Sequence, residues 1–385
     1  MKRIVYADHA ATTPVSPSVL SAMLPFFCEI YGNPSSLYSV GRKAREGVEN
    51  ARNQVAAAIN AHSNEIYFTS GGTESDNWAI RGVAAAMAQK GKNHLIFSAF
   101  EHPAVLRPAQ LLEKQGFSVT FLPVHENGIV RPEELEQAIR PSTGLVSIMS
   151  VNNEVGTIQP ISRIGQICRE NGVLFHTDAV QAIGHLAMDV KEQNIDLLSL
   201  SGHKLRGPKG VGALYIRQGT FFPNLMDGGQ QERQRRPGTE NTAGIVGLGA
   251  AIEESVLQRE ETNRHLEQLG NRLLEGALQI PQVFLNGDRT QRLPATFNLC
   301  FEGVEGSSLL LMLDMKGICV SSGSACASGS REVSHTLTAM GLPPERTRSC
   351  LRFSLGAENT EEDVAYILQE LPAVVERLRQ LAPLS

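Results

Sequence analysis

The feature that most constrains this chain is a series of short apolar runs with stretches between them long enough for a helix. The runs are Ile66 to Thr69, Leu95 to Ser98, Val119 to Leu122, Leu145 to Met149, Leu174 to Thr177, Leu197 to Leu200 and Val211 to Ile216. Each is of strand length and largely lacks the polar alternation of a strand with one wet face. Apolar strands separated by crossover helices predict a mostly parallel sheet covered on both faces, hence an α/β fold. Val211 to Ile216 follows Leu197 to Leu200 too closely for a helix, so that pair is expected to be antiparallel. Upstream, Val40, Ala44, Val48, Ala51, Val55 and Ile59 recur at helical spacing and predict one amphipathic helix.

The end of the chain reads differently. A helical stretch beginning near Ile252 runs through Val256, Leu266, Leu269 and Leu273, leaving the first domain for a smaller α+β one. Thr360 and Asp363 can cap a final helix with Val364, Ile367, Leu368 and Leu371 on one face, which Pro372 is expected to interrupt. The expected division is a large domain over residues 15–255 and a small one from residues 1–14 and 256–385. A chain of 385 residues has ample length for both.

Composition narrows the classes of function. The net charge of −5 speaks against direct nucleic-acid binding, which draws on a basic excess. No apolar run approaches the length of a membrane span, and the first residues, Met1-Lys2-Arg3, carry charge too early for a secretory signal. The six cysteines are scattered without a CxxC pair, the pattern of reduced thiols rather than of a disulfide framework or a zinc site. A soluble cytoplasmic protein without a metal site is expected.

Chemistry-bearing residues cluster just after the strands, the edge where open α/β sheets bind ligands. Phe68-Thr69-Ser70-Gly71-Gly72-Thr73-Glu74-Ser75 passes from strand through two glycines into a helix. A helix start offers free N–H groups and the positive end of the helix dipole to an anion such as phosphate, although alone the segment reads equally as an N-capped turn. Asp178 ends a strand with Gln181 after it, and is either a helix cap or a carboxylate for a protonated ring nitrogen. Lys204, in Ser201-Gly202-His203-Lys204, follows a buried strand, where a lysine suits a Schiff base with an aldehyde. Lys209 is its rival, in a Gly/Pro setting typical of an exposed turn. Cys326 lies in Ser321-Ser322-Gly323-Ser324-Ala325-Cys326-Ala327-Ser328-Gly329-Ser330, a small, polar setting that exposes a thiol; in isolation it reads more often as a tolerated surface cysteine.

Taken together, these segments resemble the cysteine desulfurases of the NifS/IscS class, pyridoxal-5′-phosphate (PLP) enzymes of the class-V aminotransferase family. The likeness spans essentially the whole chain. It is carried by Asp8-His9-Ala10-Ala11-Thr12-Thr13-Pro14, Tyr31 to Ser36, Ser70 to Asn77, Glu101-His102, Asn152-Asn153-Glu154-Val155-Gly156, His176 to Gln181, Ser201 to Lys204, Arg236 to Asn241, Ser321 to Ser328, and Leu351 to Gly356. The resemblance implies PLP-dependent transferase fold type I and a Schiff base between Lys204 and PLP. It implies that Asp178 keeps the pyridine nitrogen protonated, that Gln181 and Asn153 meet the ring oxygen, and that His102 stacks on the ring and carries protons. Gly72, Thr73, Ser201 and His203 would hold the phosphate, with Thr239 donated by the second subunit of a homodimer. Arg352, with Asn153 beside it, would bind the carboxylate of L-cysteine, a task suited to a planar fork.

By the same resemblance, the Cys326 thiolate takes the substrate sulfur as a persulfide for an acceptor protein, in iron–sulfur cluster assembly or in tRNA or cofactor thiolation, and alanine is released. A thiolate is needed because the neutral thiol is a poor nucleophile. Two rivals stand beside this reading. One is a selenocysteine lyase or other PLP-dependent lyase or aminotransferase, for which Cys326 is dispensable. The other is a docking platform without catalysis, which needs none of Lys204, Asp178, His102 and Cys326. His176, His185, Cys319 and Cys350 are expected to be structural.

Overall fold

The computed structural model of the chain describes residues 3–322 and 333–381. A short strand β1 (Val5–Tyr6) is followed by β2 (Ile66–Thr69), β3 (His94–Ser98), β4 (Ser118–Leu122), β5 (Thr143–Ser147), β6 (Leu174–Asp178), β7 (Leu197–Ser201) and β8 (Gly212–Ile216). Strands β2 to β8 form one sheet in the order β2-β8-β7-β6-β5-β3-β4. The sheet is parallel from β7 to β4, and β8 runs antiparallel to both of its neighbours, as the short β7–β8 connection predicts. Every residue of β3, β5, β7 and β8 is buried, so strands covered on both faces explain the unbroken apolar runs. The β5 ladder sits two residues earlier than expected, ending at Ser147, and Ile148 and Met149 pack in the core beyond it.

Helix α1 (Ser39–Ala58) lays Ala44, Val48, Ala51 and Val55 against this core. Helices α2 (Gly72–Ala88) and α3 (Pro103–Lys114) follow β2 and β3 directly and pack on each other. Beyond the sheet come α4 (Thr242–Leu257) and α5 (Arg259–Ala277). The stretch predicted as one helix from Ile252 is therefore two, because Gln258 leaves helical geometry at φ −95, ψ 0.

A second hydrophobic core forms around β9 (Val283–Asn286), β10 (Thr296–Phe301), β11 (Ile318–Cys319) and β12 (Cys350–Ser354). Strands β12-β10-β9 make an antiparallel sheet, and β1 pairs in parallel with β11. Val5 and Ala7 thus belong to the core built from the last third of the chain. Helix α6 (His335–Ala339) precedes β12, and α7 (Glu361–Leu381) closes the described chain. Thr360 and Asp363 exchange backbone-to-side-chain hydrogen bonds at the start of α7, the reciprocal cap its sequence predicts. Pro372, however, lies inside α7 and does not end it. Leu371, Val374 and Val375 are buried on the second core around the proline, and that packing offsets the one backbone bond it removes.

Candidate active site

At the carboxyl edge of the large sheet, β2, β3, β5, β6 and β7 end around one cavity of about 630 Å³. Gly72, Thr73, His102, Asn153, Asp178, Gln181, Ser201, His203, Lys204 and Arg352 all line it, so residues far apart in sequence meet where the strands stop. Two expected participants are elsewhere. Cys326 lies outside the described residues, and Thr239 lies away from this cavity in its own chain, in a separate recess beside Phe68, Thr69 and Ser70.

Lys204 follows β7 in a single 3-10 turn, and its ammonium donates to the main-chain oxygens of Ala11, at 2.8 Å, and of Ala10. Gln181 Nε2 donates to the same Ala10 oxygen at 3.0 Å. Thr13 binds the oxygen of His203 through both its amide and its hydroxyl, at 3.0 and 2.9 Å. The segment Asp8 to Pro14 is therefore a strap across the lysine turn. Lys209 reaches the oxygen of Thr13 at 2.8 Å, is exposed and does not line the cavity. Of the two lysines, Lys204 is the one that lines the cavity.

Asp178 ends β6 with Oδ1 accepting from Val180 N–H at 2.9 Å, and its other oxygen has no protein donor among the described residues. Burial raises its carboxyl above the usual range; His102, the Val180 amide and Lys204 oppose that rise. A cationic nitrogen in the cavity would oppose that rise as well and favour the ionised form. His102 caps α3, its Nδ1 accepting from Ala104 N–H at 3.1 Å, which leaves the ring proton on Nε2. Burial holds this histidine below its ordinary value, with Lys204 and His335 adding to the effect and Asp178 opposing it. It is a neutral donor and acceptor.

At the start of α2, the N–H groups of Gly72 and Thr73 have no acceptor among the described residues. Gly71 before them has φ +151, a region that favours glycine. A Cβ on Gly72 would come within 2.7 Å of the Val180 side chain, so packing also favours glycine there. His203 Nδ1 lies 3.1 Å from Thr12 Oγ1, and burial together with Lys204 and Lys209 draws its imidazole down to about 4. Open amides, two hydroxyls and a neutral imidazole suit a phosphate. With an amine for an aldehyde and a buried carboxyl group for a ring nitrogen, the donor set fits the aldehyde, the ring nitrogen and the phosphate of PLP.

The rim is built from the second core. Arg352 is 1% exposed on β12; its Nη2 donates to Asp8 Oδ1 at 2.6 Å and its Nη1 to the Asn153 oxygen at 3.0 Å. Its main chain pairs with Ser321, with N–H···O distances of 2.7 and 3.2 Å. Val333 and His335, which come after residues 323–332 in the sequence, also line the cavity.

Several polar residues that shape the site had no role in the sequence reading: Asp8, Asp76, Glu101, Glu154 and His335. Asp8, Asp76, Glu101 and Glu154 stand inside stretches that carry the resemblance, which was the available signal; His335 had none. Asp76 is buried and its carboxyl is pushed well up, by burial first and then by Asp178, with Glu101 adding. Glu101 is raised to about 8 by burial. His176 bonds Ser147 and Ser199 at 2.8 and 3.0 Å, and Cys350 is buried with its thiol on the Arg346 oxygen at 3.0 Å; both are structural, as expected.

Comparison with known proteins places this arrangement. The model of the aminotransferase class-V family matches residues 5–367, and the chain belongs to that family, with its fold type I α/β architecture. A cysteine desulfurase IscS of Methanosarcina thermophila is 56% identical over 383 residues, spanning 100% of this chain and 95% of that protein. One of Clostridium botulinum is 55% identical over 387 residues, spanning 100% and 97%. Among solved structures, a NifS-like protein superposes with a TM-score of 0.92 at 39% identity, covering 98% of this chain and 100% of that one. A structure described as SspA in complex with cysteine gives 0.83 at 38% identity, covering 94% and 100%. Within the family, the chain is a member of the NifS/IscS class.

Proposed function

We propose that this protein is a PLP-dependent cysteine desulfurase, which converts L-cysteine to L-alanine and carries the sulfur as a persulfide on Cys326 to an acceptor protein. The observation that carries the proposal is the meeting of the Lys204 amine, the Asp178 carboxylate and the open α2 amides in one cavity. The close kinship with proteins named cysteine desulfurase supports the choice of substrate. In this reading Lys204 holds the aldehyde of PLP, Asp178 its ring nitrogen, and Gln181 and Asn153 its ring oxygen. Gly72, Thr73, Ser201 and His203 hold the phosphate, and His102 lies against the ring. When bound, the cofactor supplies an electron sink for the substrate Cα.

The protein's own part follows from its geometry. Arg352, oriented by Asp8 and the Asn153 oxygen, binds the substrate carboxylate. The Lys204 amine, aimed by the Ala10 and Ala11 oxygens, takes the Cα proton. His102, neutral with its proton on Nε2, relays protons within the cavity. The Cys326 thiolate attacks the substrate sulfur, an S–S bond forms and the C–S bond breaks. The C–S electron pair stays with carbon, which takes a proton to become the methyl group of alanine. An acceptor thiol then removes the outer sulfur.

A homodimer completes the reading, with Thr239 of one subunit at the phosphate of the other. In support, Phe27, Tyr31, Leu37 and Tyr38 are 58 to 81% exposed on one stretch of chain, and the helix Pro17–Met23 beside it packs on α4, which begins just after Thr239. Apolar exposure on this scale marks an interface. The deciding experiment is Cys326→Ser. The variant is expected to stay yellow and to keep the spectral response to added L-cysteine while losing alanine and sulfide production. Near-normal alanine from it would replace the proposal with a lyase or aminotransferase that needs no thiol.

A further inference from the structure

Glu154 is 2% exposed and has no basic side chain at ion-pair distance among the described residues. A buried carboxylate without a cation is costly unless hydrogen bonds satisfy it. Here both oxygens are used on one short segment: Oε2 accepts from Ser334 Oγ at 2.6 Å and Oε1 from Thr336 Oγ1 at 3.0 Å. Ser334 is also the N-cap of α6, its oxygen accepting from Leu337 N–H at 3.2 Å, so its only proton is committed to Glu154. Between them, His335 Nε2 donates to the main-chain oxygen of Glu101 at 2.8 Å. Three consecutive residues, Ser334, His335 and Thr336, are thus tied to strand-end loops of the large sheet.

The loop that presents Glu154 is itself rigid. Asn152 Oδ1 accepts from the N–H groups of Glu154 and Val155 at 2.8 and 3.0 Å, and its Nδ2 donates to the Phe100 oxygen at 3.1 Å. Gly156 has φ +78, and a Cβ there would meet the Thr296 oxygen at 2.3 Å, so no other residue lets this loop lie against β10. Next to Glu154, Asn153 offers its oxygen to Arg352, whose main chain holds Ser321. Ser321 and Ser334 flank, in sequence, the segment that contains Cys326. The dipeptide Asn153-Glu154 therefore binds both flanks, one through Arg352 and the other directly.

We infer that Glu154 is a positioning residue for sulfur transfer: by fixing Ser334 and Thr336 it anchors the chain that follows Cys326 in sequence, and so helps to set the delivery of that thiol to bound cysteine. The inference rests on the desulfurase reading and adds to it a cavity-lining residue whose two carboxylate oxygens are both taken up by Ser334 and Thr336. A rival role is open to the same carboxylate, since its charge also acts on His102. Glu154→Gln separates the two, because a side-chain amide keeps a hydrogen-bonding group against the hydroxyls but carries no charge.

The test uses the PLP-loaded full chain with L-cysteine. Glu154→Ala is expected to lower kcat for alanine formation by about tenfold or more, the scale set by losing hydrogen bonds to a charged acceptor. The affinity for L-cysteine, read from the cofactor spectrum in a Cys326→Ala background, should stay within about twofold. The alkylation of Cys326 by iodoacetamide, followed by peptide mass spectrometry, should speed up. Ser334→Ala combined with Thr336→Val should reproduce the kcat loss from the other side, which keeps the question answerable if Glu154→Ala does not fold. Glu154→Gln should recover most of the rate. The inference is overturned if Glu154→Ala and the double variant both keep kcat within twofold, if cysteine affinity falls in step with kcat, or if Glu154→Gln is as slow as Glu154→Ala. The unsubstituted enzyme, assayed alongside, separates the two readings: no alanine from it overturns the desulfurase assignment, whereas equal alanine from it and from Glu154→Ala overturns the positioning role alone.

Discussion

The floor of the cavity is made of groups that burial drives toward neutrality, whereas its rim is made of groups aimed by specific bonds between the two cores. On the floor, burial raises the carboxyls of Asp76 and Asp178 and lowers the imidazoles of His102 and His203; Glu101 and His176, which do not line the cavity but support it next to Asp178 and Asp76, shift in the same directions. On the rim, Arg352 meets Asp8 and the Asn153 oxygen, and Glu154 meets Ser334 and Thr336. A floor of this kind is sensitive to what enters it: a cationic group beside Asp178 would oppose the effect of burial and favour its ionised form. A rim of this kind fixes distances between parts of the chain that no single core holds. In the proposed reaction the first would govern proton movement, and the second how substrate and nucleophile meet.

The largest expected effect breaks the floor. Lys204→Ala should lose the visible absorbance of the bound cofactor and reduce alanine formation by about three orders of magnitude, within the range for removing a positioned proton-transfer group. Lys209→Ala should keep the yellow colour, because Lys209 does not line the cavity and its amine is bonded to the Thr13 oxygen. Equal loss of colour in both variants would mean that the strap from Asp8 to Pro14, rather than one amine, is what the cofactor needs. Smaller, and confined to the rim, is Arg352→Lys. A lysine cannot serve Asp8, the Asn153 oxygen and a carboxylate with one planar fork, so KM for L-cysteine should rise by about 10- to 100-fold, as expected for lost hydrogen bonds between charged groups. The spectrum of the resting enzyme should not change. A shift in that spectrum would show that floor and rim are not separable.

The floor was the more legible of the two in the sequence, for a physical reason. Its residues sit at the ends of strands, and strands buried on both faces announce themselves as unbroken apolar runs, so Asp178, Lys204 and the Gly72-Thr73 turn stood out by place as well as by type. The rim depends on contacts between segments far apart in the chain. Asp8 and Arg352 are 344 positions apart and Glu154 and Ser334 are 180 apart, and nothing local distinguishes these from surface acids and hydroxyls. The expectation that Pro372 ends the last helix failed on the same ground, since packing on the second core overrides a local rule. The expected single helix from Ile252 failed because no glycine or proline stands near Gln258 to announce the break, which lies in the backbone geometry of that one residue.

The smallest expected effect sharpens the account of the floor through pH. His176 is held at about 3 by burial, below the ordinary histidine value of about 6.5. Between those values the unfolded chain binds a proton that the folded one refuses, so this residue makes stability fall as pH drops below about 6.5. Glu101 is raised to about 8 from the ordinary carboxyl value of 4.5, so the folded chain keeps a proton that the unfolded one releases. Its contribution is present below about 4.5 and is lost as pH rises toward 8. Between about pH 5 and 6.5 the two act with opposite sign, each by about 1.4 kcal/mol per pH unit, and largely cancel. Replacing one at a time should expose the other. His176→Gln should make the unfolding free energy, measured by urea denaturation, decline with rising pH across this window. Glu101→Gln should make it climb, so that the two slopes differ by about 2.7 kcal/mol per pH unit. Parallel slopes in the two variants would mean that the floor holds these groups in their ordinary charge states, and the contrast between floor and rim would then rest on geometry alone.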